Sequence, residues 1–162
     1  MTVRRTDPAP TKMNRMTNTG PRAHRDCPTR STAQLLRHAG LRPTRQRLAL
    51  GALLFDGEDR HVTAELLHAE ATAVGHHVSL ATVYNTLHQF KRAGLLRELA
   101  INGSRAYFDT NVSNHNHFFV EADGELHDIP GNAIRVDGVP KPPEGMAVSH
   151  IDVVVRLVPK KG

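Results

Sequence analysis

The chain has 162 residues, of which 39% are hydrophobic and only one is cysteine, and its formal net charge at pH 7 is +5. No apolar run approaches the roughly 18 residues of a membrane span, and the N-terminus lacks the apolar stretch of a signal peptide, so we expect a cytoplasmic protein without a membrane partner. The single cysteine, Cys27, excludes an internal disulfide framework and a structural four-cysteine zinc site.

The positive charge is concentrated at the front of the chain. Residues 1–50 contain eleven Lys or Arg residues and two acidic ones, whereas residues 114–162 contain five basic and seven acidic residues. A polyanion, most simply nucleic acid, is the natural partner of such a front half. The alternative is a solvated tail, because residues 1–30 have no apolar period and are predicted to form a disordered basic arm.

Four short helices are predicted after this arm. Ser31 and Gln34 form a capping box that begins the first helix. In the third helix, Leu67, Ala71 and Val74 recur at helical spacing and are predicted to form its buried stripe. The N-caps of the later helices are Thr44, Thr63 and Ser79, and these helices are predicted to end near Phe55, Val74 and Ala93.

A β-hairpin is predicted next. Two strand-like runs, residues 95–101 and 104–108, flank Asn102-Gly103, whose residues tolerate the positive φ of a type I′ turn. Short helices followed by a hairpin are typical of a winged helix-turn-helix, here over residues 31–110. In that architecture the last helix before the wing enters the major groove of DNA.

Residues 111–162 are predicted to form a small antiparallel sheet from strands near residues 116–120, 126–129 and 148–158. Three strands are too few to form a stable core alone. We therefore expect a homodimer, whose two-fold symmetry would match a palindromic DNA site. The predicted fold class is α+β, an N-terminal winged helix-turn-helix followed by a small antiparallel-sheet dimerisation and effector-sensing domain.

Several motifs in this order resemble the ferric uptake regulator (Fur) family. They are GLRPTRQR at residues 40–47, HVTAE at 61–65, SLATVY at 79–84 and HNH at 115–117. HFFVE at 117–121 and LHDIP at 126–130 are most similar to the iron response regulator (Irr) subgroup of alphaproteobacteria. The resemblance implies a transcription regulator of iron homeostasis that binds operator DNA as a homodimer under metal or haem control. The alternative is a response to Mn, Zn or peroxide without haem.

The resemblance also implies the DNA-contacting residues. The family's contacts correspond to Arg42, Arg47, Ser79, Thr82, Tyr84 and Asn85, with Arg45 as a basic addition. Arginine can clamp phosphates, while short polar groups and a tyrosine ring can meet base edges and thymine methyls. Many relatives have arginine where Asn85 stands, and asparagine can pair with adenine instead.

A metal site at the hinge between the two domains is implied by the same resemblance. Its ligands correspond to His61, Asp109, His115, His117 and Asp128. Mixed imidazole and carboxylate ligation suits Fe(II), Mn(II) or Zn(II) and does not choose among them. If His115 and His117 lie on a strand, both rings point to one side and Asn116 to the other.

Haem is a second effector implied by the Irr resemblance, with Cys27, His115 and His117 as its ligands. Cys27 is followed by Pro28, as in a haem regulatory motif, and a thiolate is a suitable axial ligand. Haem control would also require a haem-delivery partner. Asn116 replaces the central histidine of the run that the subgroup associates with haem, so metal sensing is favoured at this stretch.

Two other functional classes compete with a regulator. A hydrolase could use His115 and His117 on a catalytic zinc, which requires three protein ligands and a general base. It would leave the basic front half and the polar helix face unexplained, so we do not expect an enzyme. A DNA-binding module without an effector is the other alternative, in which the histidines only decorate a strand.

Overall fold

The computed structural model describes residues 31–102 and 105–160. The predicted basic arm, with Cys27, lies outside the described residues, as do residues 103, 104, 161 and 162. Ten elements follow in chain order: α1 (Thr32–His38), α2 (Arg45–Phe55), β1 (His61–Val62), α3 (Ala64–Ala73), α4 (Leu80–Arg92), β2 (Arg97–Asn102), β3 (Arg105–Asp109), β4 (His115–Val120), β5 (Leu126–Pro130) and β6 (Val154–Leu157).

The helices begin at the predicted N-caps. The hydroxyl of Ser31 accepts from the Gln34 backbone and the Gln34 side chain accepts in return, which completes the capping box of α1. Thr44, Thr63 and Ser79 cap α2, α3 and α4 in the same way with their hydroxyls. Each cap satisfies a backbone donor that the first helical turn would otherwise leave unpaired.

One apolar core holds the helices and the base of the wing together. Leu50 and Leu54 of α2, Leu67 of α3, and Leu87 and Phe90 of α4 are all fully buried in it. The prediction for Val74 was wrong, because this residue follows the last turn of α3 and is 56% exposed. A side chain at a helix end projects beyond the surface that the helix packs against.

The wing is a three-stranded antiparallel sheet in the order β1-β3-β2. The predicted hairpin is its β2–β3 pair, but Asn102, which was predicted to lie in the turn, is the last residue of β2 and pairs with Arg105. The two-residue strand β1 joins the other edge of β3, with His61 opposite Asp109 and Val62 opposite Phe108. This third strand is too short to give a sequence pattern, and it fastens the start of α3 to the end of the wing.

The second sheet has the order β5-β4-β6. β4 and β5 are antiparallel as predicted, but β6 pairs with β4 in parallel, so the sheet is mixed. The predicted long final strand is also shorter, since only Val154–Leu157 is a strand. Alternating apolar residues such as Ile151, which is 40% exposed, do not by themselves bring a backbone within reach of a partner strand.

The wing packs against the second sheet through a second, smaller core. Leu99, Ile101 and Tyr107 of the wing bury their side chains against Phe119 of β4. The rings of Tyr107 and Phe119 meet edge to face with centroids 6.0 Å apart. The guanidinium of Arg156 on β6 lies over the Phe119 ring and donates to the carbonyl of Ile101.

Within the described part of the chain, none of the helices has both the length and the apolar character needed to cross a membrane.

Candidate metal centre and DNA-binding surface

Three histidines and two aspartates converge at the junction between the wing sheet and the second sheet. One nitrogen or oxygen atom from each of these residues lies within 4.8 Å of those of all the others. This His/Asp cluster consists of His61, Asp109, His115, His117 and Asp128. These are the residues that the family resemblance implied for a hinge site, and the structure brings all of them together.

Strand pairing positions the members of the His/Asp cluster. His61 and Asp109 are register partners across β1 and β3, and His117 and Asp128 are register partners across β4 and β5. His115 lies two residues before His117 on β4, so its ring is on the same side of the strand. The side chain of Asn116, between them, instead accepts a hydrogen bond from the Val153 amide.

A close backbone approach holds the beginning of β4 against the end of β5. A Cβ atom on Gly131 would lie 2.4 Å from the carbonyl oxygen of Asn114, a distance that no side chain tolerates. Glycine is therefore required here, directly beside the register pair of His115 and Pro130.

The three imidazole Nε2 atoms face the same two carboxylate oxygens. Those of His115, His117 and His61 lie 2.9, 3.3 and 3.6 Å from Asp109 Oδ2. The corresponding distances to Asp128 Oδ1 are 3.5 Å from His115, 3.9 Å from His117 and 3.1 Å from His61. Donors about 2.0–2.2 Å from one shared ion lie about 2.9–3.6 Å apart at octahedral to tetrahedral angles. The spacing of the cluster is close to that range.

Three atoms at the centre of the cluster, His61 Nε2, His115 Nε2 and Asp128 Oδ1, are buried and lack a well-aligned hydrogen bond, although each lies within 3.1 Å of an oppositely charged cluster atom. Buried polar atoms are nearly always hydrogen-bonded, so contacts that are close but poorly aligned are consistent with donors directed at a shared ion. His115 Nδ1 donates to the carbonyl of Ser113 at 2.9 Å. The neutral ring therefore carries its lone pair on Nε2, which is the atom directed at the centre.

The histidines and aspartates of the cluster shift one another's pKa values. Burial by itself lowers the pKa of His61, but contact with the Asp109 and Asp128 carboxylates outweighs it and raises the pKa to about 9. Burial raises the pKa of Asp109, yet the three histidines hold it well below its usual range. The pKa of Asp128 is lowered for a similar reason, and that of His115 is raised. The carboxylates are thus kept ionised, as ligands must be.

The donor set fits a divalent transition metal. Imidazole nitrogens and carboxylate oxygens together suit Fe(II), Mn(II) and Zn(II). Three imidazoles and two carboxylates exceed the four ligands usual for structural zinc. The set also contains no cysteine, in agreement with the composition of the chain.

The same arrangement leaves little space for haem iron at His115 or His117. The His117 side chain is fully buried, and both Nε2 atoms are within 3.3 Å of an Asp109 oxygen. An iron bound to either nitrogen would compete with these carboxylates for the same space. Haem ligation by these two residues therefore stays a prediction, and Cys27 lies outside the described residues.

Sequence reasoning missed Asn111, which holds both carboxylates. Its backbone amide donates to Asp109 Oδ1 at 2.8 Å, and its side-chain amide donates to Asp128 Oδ2 at 3.2 Å. The signal that could have found it is Asn111-Val112-Ser113, because asparagine two residues before serine commonly forms a turn through its side chain.

The predicted DNA-contacting residues lie on and around α4 and the beginning of α2. Arg42, Arg45 and Asn85 are exposed. Ser79 is engaged as the N-cap of α4, and its hydroxyl also bonds that of Thr82 at 2.8 Å. The first turn of α4 is therefore fixed by these hydrogen bonds.

Arg47 has partners within the protein. Its guanidinium donates to the side-chain oxygen of Gln89 at 2.9 Å and to the carbonyl of Arg42 at 2.8 Å. These bonds tie the beginning of α2 to α4, so Arg47 orients the surface instead of extending freely from it.

Two charged residues near Tyr84 were not predicted. The Tyr84 hydroxyl donates to Glu65 at 2.6 Å, which lowers the pKa of Glu65 and raises that of Tyr84. The charge of Arg105, an exposed residue of β3, acts on both groups. The wing thus brings a cation next to the polar face of α4.

A winged helix joined to a small sheet, with the His/Asp cluster at their junction, defines the class of protein. The sequence model of the ferric uptake regulator family matches residues 38–155. The chain belongs to the ferric uptake regulator family.

Curated relatives include peroxide-responsive repressors named PerR. The one from Staphylococcus epidermidis is 37% identical over 94 residues, which is 58% of this chain and 62% of the relative. One from Staphylococcus aureus is also 37% identical over 94 residues, covering 58% of this chain and 63% of the relative. The matched region thus spans less than two thirds of the length of these relatives.

Solved structures agree with the fold. The ferric uptake regulator from Pseudomonas aeruginosa with manganese superposes with a TM-score of 0.60 at 27% identity, covering 80% of this chain and 98% of that one. The Vibrio cholerae ferric uptake regulator has a TM-score of 0.60 at 23% identity, covering 76% of this chain and 96% of that one. The predicted fold class, a winged helix followed by a small sheet domain, is confirmed.

Proposed function

We propose that the chain is a transcription regulator that binds operator DNA as a homodimer and whose DNA affinity is set by a divalent metal bound to the His/Asp cluster. The observation that carries the proposal is the convergence of donor atoms from two sheets, within 4.8 Å of one another. Membership of the ferric uptake regulator family supports the regulatory role.

The position of the cluster between the two sheets would couple metal binding to DNA binding. His61 and Asp109 belong to the wing sheet, whereas His115, His117 and Asp128 belong to the second sheet. A bound divalent ion would neutralise the two carboxylates and accept the imidazole lone pairs. Only one angle between the two sheets brings all five donor atoms to one point. If DNA binding requires that same angle, metal binding and DNA binding strengthen each other.

We propose Fe(II) as the regulatory metal, which retains the iron-homeostasis interpretation. Three imidazoles favour Fe(II) over Mn(II), because Fe(II) generally binds nitrogen-containing sites more tightly. Mn(II) is the alternative, supported by the manganese-containing relative from Pseudomonas aeruginosa. The names of the PerR relatives favour peroxide as a second effector, acting on the iron-loaded protein. Haem acting through Cys27 stays a prediction.

The homodimer is proposed to form through residues 111–162, with residues 31–110 as the DNA-binding domain. Large apolar side chains of the second half are exposed in the isolated chain, among them Val136, Val139, Met146, Val148 and Val158. Apolar exposure of this extent is typical of an interface. The outer edge of β6 lies at the end of the sheet order and is available for a partner strand.

The proposal is tested with purified full-length protein and with inverted-repeat DNA selected from a random duplex pool. Fe(II) or Mn(II) is expected to tighten DNA binding at least tenfold, and affinity is expected to fall steeply with salt. The double substitution His115→Ala with His117→Ala should abolish the metal response and leave metal-independent binding. A metal response that survives in the double variant contradicts the proposed site. Addition of hydrogen peroxide to the Fe(II) complex distinguishes a peroxide-responsive regulator from a purely iron-responsive one.

A further inference from the structure

Asn111 lies in the segment between β3 and β4, where the wing ends and the second sheet begins. Its backbone amide donates to Asp109 at the end of β3, and its side-chain amide donates to Asp128 on β5. One residue therefore contacts one carboxylate from each sheet.

The orientation of the Asn111 amide follows from its neighbours. The backbone amide of Ser113 can only donate, and it lies 3.1 Å from Asn111 Oδ1. The Ser113 hydroxyl donates to the same oxygen at 2.6 Å. Ionised Asp128 can only accept, so Nδ2 of Asn111 must face it.

The network extends to a histidine of the cluster. The carbonyl of Ser113 accepts from His115 Nδ1 at 2.9 Å and from the guanidinium of Arg97 at 2.7 Å. Because Asn111 holds Ser113 through two hydrogen bonds, it also fixes the group that sets the tautomer of His115.

The oxygens that Asn111 contacts are the outer ones. Asp109 Oδ1 and Asp128 Oδ2 receive its hydrogen bonds, whereas Asp109 Oδ2 and Asp128 Oδ1 face the histidines. A carboxylate held in this way presents one oxygen and cannot rotate to present both. One-oxygen ligation disfavours large cations such as Ca(II), which carboxylates often bind through both oxygens.

We propose that Asn111 is the positioning residue of the metal centre, which holds Asp109 and Asp128 as one-oxygen ligands and joins the wing to the second sheet before metal binds. This inference rests on the proposed metal-binding function. Asn111 acts through the two aspartates and Ser113, and it is not itself a ligand.

The test compares Asn111→Ala with Asn114→Ala in the full-length protein. Asn114 is an exposed asparagine of the same segment, so its substitution controls for a general change in this segment. The Ala variant at 111 retains the backbone amide and hence the bond to Asp109, and loses only the contacts with Asp128 and Ser113. Mn(II) affinity is measured from the electron paramagnetic resonance signal of free Mn(II), and Co(II) absorption reports the coordination geometry.

We expect Asn111→Ala to weaken Mn(II) binding by about 10- to 100-fold, as is typical for groups that orient metal ligands, and to change the Co(II) spectrum. Asn114→Ala should match the wild type in both. If wild-type protein binds Mn(II) and Asn111→Ala binds it equally well with the same Co(II) spectrum, the positioning role is refuted while the metal site stands. If the wild type does not bind Mn(II), Fe(II) or Co(II), the proposed function itself fails and this inference with it.

A second variant covers the case in which Asn111→Ala does not fold. Ser113→Ala removes only the hydroxyl that donates to Asn111 Oδ1 and keeps the backbone contacts. It should weaken Mn(II) binding less than Asn111→Ala but in the same direction. In combination with Asn111→Ala it should add little, because both act through one network. If Asn111→Ala does not fold, wild-type Mn(II) affinity in Ser113→Ala would overturn the proposal. If it folds, a double variant whose loss equals the sum of two substantial single losses would do so.

Discussion

His117 lies directly opposite Asp128 in the antiparallel pair of β4 and β5. Their ligand atoms, Nε2 and Oδ1, are 3.9 Å apart, a separation too long for a hydrogen bond but close to that of two donors on one ion. His61 and Asp109 form an equivalent pair in the wing sheet, with Nε2 and Oδ2 3.6 Å apart. The candidate metal centre is therefore built from two cross-strand pairs and one further histidine.

Asp128→Asn should separate ligation from folding at the His/Asp cluster. The substitution keeps the shape of the side chain but removes the negative charge that a divalent ion requires. We expect Mn(II) affinity to fall at least tenfold, measured by competition with a chelator. Asp137→Asn, on an exposed loop outside the cluster, is the matched control and should leave affinity unchanged.

The stability of the metal-free protein should fall as the pH rises from about 6.5 to about 9. The pKa of His61 is raised from 6.5 to about 9 in the folded state, against the effect of burial, by Asp109 and Asp128. A raised pKa contributes stability that is complete below 6.5 and is lost as the pH passes the folded value. Urea unfolding with a chelator present measures this, and His61→Gln should have a smaller loss over the same range.

With metal present, the stability of the protein should rise with pH between pH 6 and pH 8, instead of falling. Each imidazole must lose its proton before it can bind metal, so rising pH favours the complex. Thermal unfolding with excess Mn(II) should therefore give a metal-induced increase in Tm that grows with pH. An increase that shrinks over this range would contradict ligation by the histidines.

Phe119→Ala should destabilise the protein far more than Phe118→Ala. Phe119 is 3% exposed and packs against Tyr107 of the wing, whereas Phe118 is 37% exposed on the opposite side of the strand. We expect a loss of about 3–5 kcal/mol in the free energy of unfolding for Phe119→Ala and less than about 1 kcal/mol for Phe118→Ala. Equal effects would show that the wing is not packed on the second sheet in solution.

Arg45→Ala and Arg47→Ala should affect DNA binding in different ways. Arg45 is exposed, so its removal should weaken binding to all sequences and reduce the salt slope by about 1. Arg47 also bonds Gln89 and the Arg42 carbonyl, so its loss should in addition reduce the free energy of unfolding by about 1 kcal/mol. Salt titrations of DNA binding, together with urea unfolding, separate the two cases.

Much of the local structure was determined by the sequence alone. Ser31, Thr44, Thr63 and Ser79 mark the beginnings of the helices, because each cap depends only on residues within one turn. The β2–β3 hairpin was also predicted from local sequence, although its Asn102 lies in β2 and not in the turn. The membership of the His/Asp cluster was predicted through the family resemblance, whose motifs at 61–65, 115–117 and 126–130 contain four of its five residues.

Tertiary structure alone decided how these elements meet. The parallel pairing of β6, the short strand β1 and the packing of Tyr107 on Phe119 join residues far apart in sequence, where local preference carries no information. Asn111 was missed for the same reason, because its role depends on Asp128, which lies seventeen positions later. The Asn111-Val112-Ser113 spacing could indicate a turn, but the bond to Asp128 exists only once the chain has folded.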